Sequence, residues 1–159
     1  MTDEVQSSLQ KLRQTIPKLN KMSDEAAAIV QRVETLLRDE WSVGIHGYTL
    51  YERSVDTIED GDVSVSGEVL KALVFTRIEG TFRIGVCIDE YRGEDGAGGL
   101  ISSVTVPWDQ CDRSTKLASF AQLPQLLASM ASKAERACQE VKVASKTMEQ
   151  LLTAFSAEK

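Results

Sequence analysis

The chain has one histidine, three cysteines and three prolines, and no apolar run long enough to span a bilayer. Each shortage excludes something. Cys87, Cys111 and Cys138 lie far apart, are odd in number, and show no CxxC or Cys/His spacing of the kind a structural metal needs. Free thiols are the simpler account, and neither metal nor cofactor is expected. A Cys–His dyad would have to join His46 to Cys111 or Cys87. Tyr48 and Leu50, two and four residues on, instead mark His46 as part of a strand. No catalytic residue is assigned, and the chain reads as not an enzyme. The first residues, MTDEVQSSLQKLRQ, lack the basic-then-apolar pattern of a secretion signal, so a cytoplasmic location is expected and no membrane contact.

Positive charge is scarce in the middle of the chain. The net charge is −6, and residues 41–112 carry 13 acidic against 5 basic groups. Phosphate neutralisation needs clustered Lys and Arg, so nucleic acid is not an expected partner. The last segment, 113–159, has 7 basic and 4 acidic groups, interspersed as on a solvated helix face.

Two loops invite a ligand reading and fall short of it. GEDGAGG at 93–99 is glycine-rich, but it lies between strands, carries Glu94 and Asp95, and matches no phosphate-binding motif. DTIEDGDVSVSGE at 56–68 resembles a calcium loop when Gly61 is aligned to the turn glycine. Ile58 and Gly67 then occupy positions that need oxygen ligands. Both stretches are expected to be solvated loops.

What the sequence does have is periodicity. Val5, Leu9, Leu12, Ile16, Leu19, Ala26, Val30, Val33 and Leu37 follow 4-3 spacing, interrupted only at Ser23. This predicts a helical arm over about 3–38, kinked or broken between 16 and 23 by Pro17, with Ser23 available as a cap. From Gly44 the period becomes that of strands. Glu79-Gly80 is a plausible two-residue hairpin turn, and it makes pairing partners sum to 159: Ile78 with Thr81, Phe75 with Ile84, Leu73 with Val86. One face then collects Leu73, Phe75, Phe82, Ile84, Val86 and Ile88; the other is mixed, with Thr76 opposite Arg83. GIHGYTLYERSV and LISSVTVP complete a four-stranded antiparallel meander over about 44–107.

A second helical arm is predicted over about 113–157, with Pro124 near its start. Phe120, Leu123, Leu127, Met130, Ala134, Ala137, Val141, Ala144, Met148, Leu151 and Phe155 alternate spacings of three and four, a heptad seam. As one helix this stretch would be about 53 Å long, more than the roughly 40 Å diameter of a compact domain of this size. The rod must overhang the sheet.

The sequence therefore predicts an α+β chain forming one domain over 1–159. A kinked N-terminal helix or helix pair leads into the meander, and the long C-terminal helix runs antiparallel to the N-terminal arm. The expected function is a non-catalytic protein–protein interaction module, an adaptor, inhibitor or chaperone-like accessory protein. It would self-associate as a homodimer, or bind another protein, through Phe120, Leu127, Met130, Ala134, Ala137, Val141, Ala144, Met148, Leu151 and Phe155. The alternative is a ligand-sensing regulatory domain using Tyr48, Thr76 and Arg83 on the mixed sheet face.

Overall fold

The computed structural model describes residues 3–41, 44–60, 63–94 and 99–157. The chain has the α+β class and the element order expected: a long N-terminal helix, a four-stranded antiparallel sheet, and a long C-terminal helix. Helix α1 spans Asp3–Thr35 and ends in a π turn, Leu36–Glu40, closed by the Trp41 amide on the Leu36 carbonyl at 2.9 Å. Strands β1 (Gly47–Asp60), β2 (Val63–Ile78), β3 (Thr81–Glu94) and β4 (Gly99–Pro107) lie in sequence order. A short 3-10 turn at Trp108–Gln110 leads to helix α2 (Arg113–Phe120) and helix α3 (Leu123–Ala157).

The β2–β3 hairpin has the expected register, with Ile78 opposite Thr81, Phe75 opposite Ile84 and Leu73 opposite Val86. Glu79 and Gly80 both adopt positive φ, 52° and 85°. That is the conformation a two-residue turn needs to match the twist of its strands. Phe75, Ile84, Val86 and Leu73 are fully buried and form the centre of the core. Onto this face pack Ala26, Val30 and Leu37 from the α1 end of the chain and Leu123, Leu126 and Met130 from α3. At Gly47 side chains of α3 lie directly against the sheet. A Cβ there would lie 2.7 Å from Leu126 Cδ1 and 2.8 Å from Met130, so only glycine fits without displacement.

Two expectations need correction. Helix α1 is neither broken nor restarted between 16 and 23, because it runs through Pro17. Proline removes one backbone hydrogen bond, but here it lies on an exposed stretch where water can satisfy the freed carbonyl. Ser23 lies inside the helix and caps nothing. The stretch DTIEDGDVSVSGE is mostly strand, since Asp56 pairs with Gly67, Ile58 with Val65 and Asp60 with Val63. Residues 61–62 lie outside the described residues, as do 95–98 of the glycine-rich loop. The C-terminal arm is two helices, one of the two arrangements that Pro124 allows. Pro124 cannot donate a hydrogen bond, and its ring would clash with the carbonyl of Phe120 four residues back. So α2 stops at Phe120, Ala121-Gln122 make a turn, and Pro124 sits in the first turn of α3.

Asp112 caps α2. Its carboxylate accepts from the Thr115 amide at 3.0 Å and from the Thr115 hydroxyl at 2.6 Å, and these bonds hold it below the ordinary carboxylate range. Trp108 is buried, donates Nε1–H to the buried Ser119 hydroxyl at 3.0 Å, and ties α2 to the end of the sheet.

Candidate functional site

The two apolar stripes divide at the edge of the core. In α1, Ala26 and Val30 are buried, while Val5, Leu9, Leu12 and Ile16 are exposed. In α3, Leu123, Leu126 and Met130 are buried and Ala134 is half-buried; beyond it Ala137, Val141, Ala144, Met148, Leu151 and Phe155 are exposed. The heptad phase does not change at the crossing. The face that α3 presents to the sheet continues as the face it presents to solvent. Helix α1 packs on α2 and β3, α3 packs on β1 and β2, and the stripe beyond each packed segment is exposed. Each free arm exceeds 30 Å at about 1.5 Å per residue or comes close to it.

This splits the residues assigned to a partner-binding seam. Phe120 belongs to α2 and packs against the core, as does Leu127, and Met130 is buried. Of these three, Met130 is buried in the core, while Phe120 and Leu127 pack against it and stay half-buried. Ala134, Ala137, Val141, Ala144, Met148, Leu151 and Phe155 remain accessible. On α1 the exposed Val5, Leu9, Leu12 and Ile16 carry the same 4-3 spacing and offer a second accessible face.

Tyr48, Thr76 and Arg83 do not converge. Thr76 and Arg83 are cross-strand partners, yet their side chains engage different neighbours. The Thr76 hydroxyl lies 2.7 Å from His46 Nδ1, and the His46 ring packs against Phe82 at 5.2 Å between centroids. Tyr48 lies opposite Val74, and burial, with the Asp89 carboxylate adding to it, raises its phenol above the ordinary range. Arg83 reaches toward α1, with Nε 3.6 Å from Glu34 and an amine hydrogen bond to Asp109 at 3.0 Å.

Arg83 and Glu34 are part of a charged cluster that no sequence motif announces. Strand β4 ends at Pro107, opposite Gly85, and the chain then turns away. The next amide of β3, that of Ile84, has no strand partner there. The Glu34 carboxylate accepts its hydrogen bond at 2.8 Å and also receives Arg38 at 3.3 Å. Lys116 stacks over Trp108 at 5.6 Å and donates to the Asp109 carbonyl at 2.7 Å. Together with Ala27, Val30 and Gln31 these residues line a cleft of about 350 Å³. Its charges satisfy one another, which makes the cluster a clamp between α1, β3 and α2. Among the described residues no group of three or more His, Cys, Asp or Glu could hold a metal ion, and no helix is long and apolar enough to cross a membrane.

Among the described residues two buried hydroxyls, those of Tyr51 and Ser129, have no hydrogen-bond partner. The Tyr51 hydroxyl is buried without a hydrogen-bond partner, and burial, followed by the neighbouring Glu52 charge, pushes its pKa up to about 12. A phenol whose folded pKa is raised stabilises the fold fully below pH ~10, its unfolded value. That stability is lost as pH rises from there toward 12. Tyr51→Phe is expected to remove part of this alkaline loss and to leave neutral-pH stability unchanged or up to about 1 kcal/mol higher. Thermal unfolding from pH 8 to 11 checks this, and an unchanged alkaline limb would contradict it.

Comparison with known proteins adds no family: no family model matches the chain, and neither a curated protein nor a solved structure is detectably similar to it.

Proposed function

We propose that this chain is a non-catalytic protein–protein interaction module that self-associates through its helical arms. The observation that supports the reading is the phase-continuous apolar stripe. Val141 is 63% exposed, Phe155 69% and Leu12 55%, on helices whose other ends bury the same stripe in the core. A helix keeps an apolar face in register only where something covers it. The stripe alternates large residues at its ends with alanines at 134, 137 and 144, so that a second helix can approach closely at its middle.

The occupant is a second copy of the chain. Both arms carry the complementary pattern, so two copies can cover four stripes at once in a four-helix layer around a two-fold axis. The arms carry interspersed charges of both signs, which limits like-charge repulsion between identical surfaces. Sedimentation velocity tests the reading. Leu151→Asp on α3 and Leu12→Asp on α1 should each halve the sedimenting mass while leaving the thermal transition of the sheet in place. Unaltered sedimentation of both variants would sink it.

A further inference from the structure

We draw no further inference here: the strongest candidate, the cleft of about 350 Å³ between α1, β3 and α2, belongs to the charged clamp already described, in which Glu34, Arg83, Asp109 and Lys116 engage one another and the backbone, so nothing in it points to a ligand.

Discussion

Replacing Glu34 with alanine is expected to cost about 3 kcal/mol of folding stability, a large effect for a residue that belongs to no motif. Three losses combine. The Ile84 amide keeps no acceptor where β4 has already ended, and a buried donor left unpaired costs about 1–3 kcal/mol. Arg83, three-quarters covered, keeps only the exposed Asp109 as counter-charge. Arg38 loses its helical partner but keeps Asp39, its principal one, at 2.7 Å. That contact also holds the Asp39 carboxylate below its ordinary range, so losing Glu34 costs Arg38 little. Glu34→Gln retains an acceptor for Ile84 and should cost only about 1 kcal/mol. Denaturant unfolding of both variants measures the difference. Equal midpoints for the alanine variant and the unsubstituted protein would show that the clamp contributes nothing.

A larger contrast is expected between two substitutions on one stripe. Met130 and Val141 occupy the same face of α3 with the same spacing pattern, but one is 4% exposed and the other 63%. Met130→Asp places an unpaired carboxylate against Gly47 and the core, and should destabilise by more than about 4 kcal/mol. Val141→Asp should change the stability of the isolated fold by no more than about 0.5 kcal/mol, because a surface site away from special features tolerates charge. Its effect should fall on assembly. Circular dichroism melts separate the two: Met130→Asp lowers the transition strongly, while Val141→Asp leaves it near that of the dissociated unsubstituted chain. Equal destabilisation by both would mean that Val141 is buried within its own chain.

That contrast also marks the limit of what the residues alone could tell. The register of β2 on β3 was readable because a two-residue turn fixes it, and the burial of Phe75, Ile84, Leu73 and Val86 follows from alternation once the turn is placed. The division between core and free arm was not readable. Heptad spacing says that a face will be covered, but not whether by the same chain, so Met130, Leu127 and Phe120 were grouped with Val141 and Phe155. Pro17 misled for a related reason, since its cost depends on whether water can reach the carbonyl it frees. The acidic stretch after Val55 reads as a loop from its charge, yet Asp56, Ile58 and Asp60 find strand partners in Gly67, Val65 and Val63 across the hairpin. Glu34 gave no local signal, because its role depends on where a strand distant in sequence, β4, happens to end.

The molar mass of the intact chain in solution, measured by light scattering beside Val141→Asp, tests the central claim most directly. The account predicts at least twice the 17.5 kDa of one chain for the unsubstituted protein, and half the unsubstituted value for the variant. An identical mass for the two proteins would contradict it.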